Sequence, residues 1–273
     1  MLDWFKRVAK PSSREQQDKI EDQKTPEHSQ INRMMSRYDS LDKVVNTDTP
    51  ARIISQRMRV IVVASQKGGV GKTTITAHLA VCAGNPDCRP AVLIDTDPQG
   101  SLTEWWEARK ERLEQNSGLA LVTVKRDELA AKLTELDEQG TAIAIIDTPP
   151  ALTAEIEKVI AMADLVIIPA RPSPHDLRAI GATVTLARRA KKPFVFIVNG
   201  AVPRANITAE AVAALSEHGR VAPVILYQRT DYAASMIDGR TVMEAGAPTG
   251  RSAQEIADLW RHVDEQLNVR AAA

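Results

Sequence analysis

From Arg59 onward the chain alternates short, nearly uninterrupted apolar runs with longer amphipathic stretches. The runs are Val60–Ala64, Ala91–Ile94, Leu119–Val124, Ala142–Ile146, Leu165–Ile168, Phe194–Val198 and Val221–Leu226. Between most of them lie stretches with helical spacing, such as 73–83, 101–115, 127–138, 174–190 and 207–218. Strands that are apolar on both faces need cover on both faces, and intervening helices supply it. With right-handed crossovers the pattern predicts an α/β fold: a doubly wound, mostly parallel sheet flanked by helices. Such sheets bind ligands beyond the carboxyl ends of their strands, so chemistry is expected just after each run.

Residues 1–55 read differently, as a polar extension ahead of a main domain spanning 56–270. Within the extension, Ile31, Met34, Met35, Tyr38, Leu41, Val44 and Val45 recur at one-face helical spacing. This predicts an amphipathic helix near 30–45, packed on the main domain or serving as a partner-binding or dimer-contact arm. Leu2, Trp4, Phe5 and Val8 form a small apolar cluster beside Lys6, Arg7 and Lys10. One patch of that size binds lipid weakly, so no stable membrane attachment is expected.

Composition narrows the class. With 273 residues, 44% hydrophobic and 26% charged, the chain suits one large domain or two small ones. Thirty-five basic residues balance 35 acidic ones, which excludes a polybasic nucleic-acid tail and an acidic disordered chain. The balance is only global. Residues 101–170 hold 7 basic and 13 acidic side chains, and residues 178–240 hold 9 and 4. No apolar stretch reaches the length of a membrane span, and no secretory leader is recognisable, so a cytoplasmic protein is expected. Cys82 and Cys88 match no common zinc spacing and read as reduced thiols.

The first run is followed by Ser65-Gln66-Lys67-Gly68-Gly69-Val70-Gly71-Lys72-Thr73-Thr74 and an apolar helix. Glycines let the backbone turn its N–H groups toward phosphate oxygens, and the helix N-terminus adds partial positive charge. Lys72 then supplies a point charge for the β- and γ-phosphates, and the Thr73 hydroxyl is a Mg²⁺ ligand. Two carboxylates at i and i+2, Asp95 and Asp97, close the second run and would organise Mg²⁺ and water. Asp147 closes the Ile143–Ile146 run, where a carboxylate holds Mg²⁺ through water, and Pro149-Pro150 stiffens the next segment.

The Lys-Gly-Gly-x-Gly-Lys-Thr stretch resembles the deviant Walker-A ATPases of the ParA/MinD superfamily, a branch of the P-loop NTPases. The likeness spans roughly residues 58–268 and includes Asp95-Thr96-Asp97-Pro98-Gln99, Asp164–Pro169 with Pro172-Ser173-Pro174, Gln228-Arg229 and Ile237-Asp238-Gly239. It implies that Lys67 reaches across an ATP-sandwich homodimer to the partner's phosphates. It also implies that Asp95 supports the magnesium shell, Asp97 orients the attacking water and Asn199 lines the adenine pocket. Gly68 to Thr74 form the phosphate cradle. No arginine finger stands out, and Lys67 from the second subunit is the natural substitute. The absence of an Asn-Lys-x-Asp guanine motif after Asn199 favours ATP.

Within the superfamily the motifs look most like compact ParF-type partition ATPases and their cargo-positioning relatives. The extension is too short for the operator-binding module of large plasmid ParA proteins. The cysteines sit wrongly for a nitrogenase iron protein, and a Cys-x-x-Cys carrier motif is missing. The terminal helix bears Glu255, Asp258, Asp264 and Glu265, unlike the basic membrane helix of MinD. The expected activity is slow ATP hydrolysis stimulated by a ParB-like or adaptor protein. The ATP dimer is expected to bind nucleoid DNA without sequence preference, with Arg204 and Arg229 as contacts. The cargo would be plasmid or chromosomal DNA, or a protein assembly such as a chemoreceptor cluster or microcompartment. A metabolic P-loop ligase would need a second-substrate constellation that the sequence does not display.

Overall fold

The computed structural model describes residues 57–84, 90–112, 118–151, 153–245 and 250–269. The readings of residues 1–55 and of Cys88 lie outside the described residues. The described strands are β1 (Arg59–Val63), β2 (Ala91–Asp95), β3 (Leu119–Thr123), β4 (Ile143–Asp147), β5 (Leu165–Ala170), β6 (Phe194–Ala201) and β7 (Leu226–Tyr227). They form one sheet in the order β3-β2-β4-β1-β5-β6-β7, and every pairing is parallel. The expected doubly wound architecture is therefore the one observed.

The period of two along each strand sorts side chains into two cores. Val60, Val62, Val92, Ile94, Ala144, Ile146, Val166 and Ile168 point to one face. There they meet α3 (Leu129–Glu138), α4 (Ala154–Ala161), α5 (Pro174–Arg189) and α6 (Asn206–Ser216) through Leu133, Ile156, Ile180 and Leu215. Ile61, Val63, Leu93, Ile145, Ile167 and Ile197 point the other way. That face is covered by α1 (Lys72–Ala83), α2 (Ser101–Arg112) and α9 (Arg251–Val269) through Ile75, Leu102 and Ile256. Ile256, Leu259, Val263 and Leu267 of α9 are all buried, so its apolar stripe packs into the core. Among the described residues no helix is long and apolar enough to cross a membrane.

Caps mark where helices begin. Thr153 Oγ1 accepts from Ile156 N–H at α4, and Ser173 Oγ accepts from Asp176 N–H at α5, with Pro174 in its first turn. One expectation needs correcting: the Val221–Leu226 run is not a continuous strand. Val221 makes an isolated parallel bridge to Phe196, and pairing resumes only at Leu226. Pro223 stands between them and has no N–H to give a ladder. The short α7 (Thr230–Met236) and α8 (Val242–Ala245) come next.

α1 carries a buried histidine whose bonds are saturated. His78 Nδ1 lies 2.8 Å from the Thr74 carbonyl, and Val242 N–H donates to Nε2 at 3.2 Å. Tyr232 packs edge-on at 5.4 Å. Burial lowers its pKa from 6.5 to about 4, with Thr74 and Glu244 opposing the shift. A folded pKa below the unfolded one means that the unfolded chain takes up the proton first. Stability from His78 is thus complete above about pH 6.5 and fades as pH falls toward about 4, by up to about 3 kcal/mol. Thermal melts between pH 7.5 and 4 should show a steeper loss for the wild type than for His78→Gln. Equal slopes would contradict this assignment.

Candidate functional site

The segment joining β1 to α1 lies at the carboxyl edge of the sheet. Gly69 and Gly71 adopt φ of 74° and 92°, a left-handed backbone that side chains other than glycine rarely accept. Gly71 is also the N-cap of α1, with no side-chain cap and no acidic residue in the first turn. The free N–H groups of that turn are therefore open to an anion. A Cβ on Gly71 would collide with the Asn199 side-chain amide, whose Nδ2 donates to the Val70 carbonyl at 2.7 Å. Asn199 thus braces the loop from β6 while lining the same cavity.

The two loop lysines differ sharply. Lys72 is only 7% exposed, and its Nζ donates to the Lys67 carbonyl at 3.2 Å. Burial lowers its pKa, while Asp147 and Asp97 act to raise it. Lys67 is exposed and its side chain has no hydrogen-bond or ion-pair partner among the described residues.

The carboxylates arrive by strand register: Val63 pairs with Asp147 and Asp147 with Asp95 on the three adjacent strand ends. Asp147 is 1% exposed, and its Oδ2 accepts from Thr73 Oγ1 at 2.6 Å. Its Oδ1 is buried without a partner. Burial pushes the Asp147 carboxyl up to about 7, with Asp95 adding to the rise and the Thr73 hydroxyl opposing it. An orphaned carboxylate oxygen beside a threonine hydroxyl fits a hard cation bound mainly through water and phosphate. The Asp95 oxygens are engaged differently. Oδ1 accepts from Asp97 N–H at 3.0 Å, and Oδ2 accepts from Thr103 N–H at 3.0 Å and Thr103 Oγ1 at 2.8 Å. Asp95 therefore fixes the half-buried Asp97 and the start of α2.

A cavity of about 860 Å³ opens over these groups, lined by Gly71, Lys72, Thr74, Asp97, Arg171 and Asn199, among others. Its far wall is the segment after β7, held by one carboxylate that sequence reading missed. Glu255 of α9 accepts from Tyr227 N–H (3.2 Å), Arg229 Nε (2.9 Å), Arg229 Nη2 (2.5 Å) and Tyr232 OH (2.9 Å). Arg229 is accordingly 22% exposed and lies over the Tyr227 ring at 5.6 Å. Arg204 is instead exposed, in a left-handed turn after β6. In the sequence Glu255 is only one of several acidic residues of α9; its partners, 23 to 28 residues away, were not legible. Glu255→Ala should cost about 2 kcal/mol by leaving those donors unpaired, and should weaken nucleotide binding through the loosened wall. Urea unfolding and a nucleotide titration check both; an unchanged midpoint would remove Glu255 from this role.

Residues 61–242 match the family model described as the CobQ/CobB/MinD/ParA nucleotide binding domain. A Maintenance of carboxysome distribution protein A from Gloeobacter kilaueensis is 37% identical over 127 residues, 46% of this chain and 55% of that protein. Its namesake from Halothiobacillus neapolitanus is 27% identical over 220 residues, covering 77% of this chain and 98% of that protein. The Rhizobium radiobacter Protein ParA is 29% identical, covering 73% and 91% respectively. Among solved structures, an ATP complex of a Cyanothece McdA variant superposes with a TM-score of 0.64 at 23% identity, covering 76% of this chain and 97% of that one. MinD from Pyrococcus horikoshii with Mg-ADP gives 0.63 at 18% identity, covering 78% and 98%. With the phosphate loop, the paired strand-end carboxylates and the parallel sheet in place, the chain belongs to the ParA/MinD superfamily of nucleotide-binding ATPases.

Proposed function

We propose that this protein is an ATP-dependent dimerising switch that hydrolyses ATP slowly to ADP and phosphate and positions cargo along nucleoid DNA in the cytoplasm. The observation that carries the reading is the contrast between its two loop lysines. Lys72 is buried within the loop, whereas Lys67 is exposed beside Gly68 and Gly69 and has no partner among the described residues. A cation projecting from a phosphate loop without a carboxylate to pair with is suited to phosphates presented by a second copy. Two triphosphates brought face to face would otherwise repel, so pairing depends on the nucleotide and on Lys67 together.

Within each subunit Gly68 to Thr74 cradle the phosphates, Lys72 neutralises them, and Asp97 orients the attacking water. Thr73 and Asp147 hold Mg²⁺, and Asp95 keeps Asp97 in place. Bound there, the cation would offset charge on the β- and γ-phosphate oxygens. Asn199 forms part of the adenine side of the pocket. Hydrolysis, stimulated by a ParB-like or adaptor protein, releases the dimer from DNA.

Two cargoes fit this biochemistry. The Thermus thermophilus relative named Chromosome-partitioning ATPase Soj favours a DNA partition complex, plasmid or chromosomal. The two carboxysome-distribution relatives favour a protein assembly. For DNA contact, Arg204 is the freer of the two arginines, because Arg229 is spent on Glu255.

Binding to random-sequence DNA should be strong with ATP, weak with ADP, and weak for Lys67→Ala with ATP; equal binding in all three would sink the switch. Arg204→Ala should lower the slope of log affinity against log salt by about 1. Arg229→Ala should leave it closer to wild type, and the opposite order would reassign the DNA surface.

A further inference from the structure

Arg171 follows β5 directly and was not singled out by any motif. It lines the cavity shared by Gly71, Lys72 and Asn199, and it is exposed. No carboxylate or other hydrogen-bond partner engages its guanidinium among the described residues. Its position is nevertheless built. β5 and β6 pair through Ala170 and Val198, so Arg171 and Asn199-Gly200 emerge side by side at the carboxyl edge. Gly200 has φ of 67°, and a Cβ there would lie 3.4 Å from Arg171 Nε, 3.8 Å from Cγ and 3.9 Å from Nη2. The arginine therefore lies along the bare backbone of Gly200. The neighbouring Asn199 amide reaches the phosphate loop at the Val70 carbonyl, 2.7 Å away. A guanidinium with all its donors unused is thus held one residue from the brace of the phosphate loop, on the wall of an anion-binding cavity.

We propose that Arg171 contacts the phosphate chain of the nucleotide bound in its own subunit, as a further cation beside Lys72, while Lys67 serves the phosphates of the second copy. The chemistry favours phosphate over base or sugar. Arginine presents a planar fork of donors that matches paired phosphate oxygens, and charge-assisted bonds of this kind are the stronger ones. Packing along Gly200 alone would need the aliphatic stem but no charge. The contact also supplies, from within the chain, the arginine that the motifs lack.

The proposal rests on reading the cavity as the nucleotide site, and its test separates the two. Full-length wild type, Arg171→Ala, Arg171→Gln and Lys72→Ala are titrated with a fluorescent ATP analogue and competed with ATP, ADP and AMP. Arg171→Ala should weaken ATP and ADP about tenfold, and AMP less, since fewer phosphates remain to contact. Arg171→Gln keeps the stem, loses the charge, and should show the same ranking with a wild-type melt. If the alanine variant fails to fold, the glutamine variant decides. An unchanged ATP affinity, or an equal loss for AMP and ATP, would overturn the contact. Binding lost in Lys72→Ala but intact in both Arg171 variants overturns this proposal alone. Binding intact in Lys72→Ala as well would overturn the nucleotide reading of the cavity.

Discussion

Lys72 and Asp147 are held almost out of water at the carboxyl edge of one parallel sheet, and the rest of the site depends on that arrangement. Desolvation weakens the charged form of each, lowering the pKa of one and raising that of the other, and their mutual attraction only partly offsets it. Asp147 further keeps one oxygen without a partner, and the first turn of α1 has N–H groups without a cap. Buried groups left unpaired in this way are costly. A polyphosphate with a divalent cation would satisfy all of them together. These unmet polar groups point to the chemistry the site takes up, with Asp147 fixed at the end of β4 and Lys72 at the start of α1.

The surrounding structure turns that edge into a shaped cavity by long-range polar clamps. Asp95 secures Asp97 and the first turn of α2, so a carboxylate expected near the metal is engaged mainly in positioning its neighbour. Farther along α2, the buried Arg109 donates to the Gly239 carbonyl at 3.0 Å and to both Glu244 oxygens at 2.9 and 2.6 Å, with its guanidinium 5.4 Å from the Trp105 ring. Glu255 does the same for the segment after β7. These two charge clusters tie α2 and the cavity wall to α8 and α9.

Much of this was legible in the sequence because parallel strands buried on both faces leave a strong mark. The runs ending at Asp95 and Asp147 fixed which residues meet at the sheet edge, since register places strand ends side by side. The phosphate loop was equally plain, because its glycines answer a local backbone demand. What stayed hidden was tertiary. Pro223 breaks the last run, a signal that was present but outweighed by the hydrophobicity around it. Arg229 looked like surface charge until Glu255, 26 residues on, was seen to hold it. Arg171 sat in the favoured place, directly after a strand, yet only the cavity gave it meaning.

On the proposed function, nucleotide and Lys67 together decide whether two copies pair. The most direct measurement is the solution mass of the full chain by light scattering, with Mg²⁺ and a non-hydrolysable ATP analogue, with Mg²⁺ and ADP, and for Lys67→Ala with the analogue. A doubled mass is expected in the first case and a single-chain mass in the other two. The same mass in all three would contradict it.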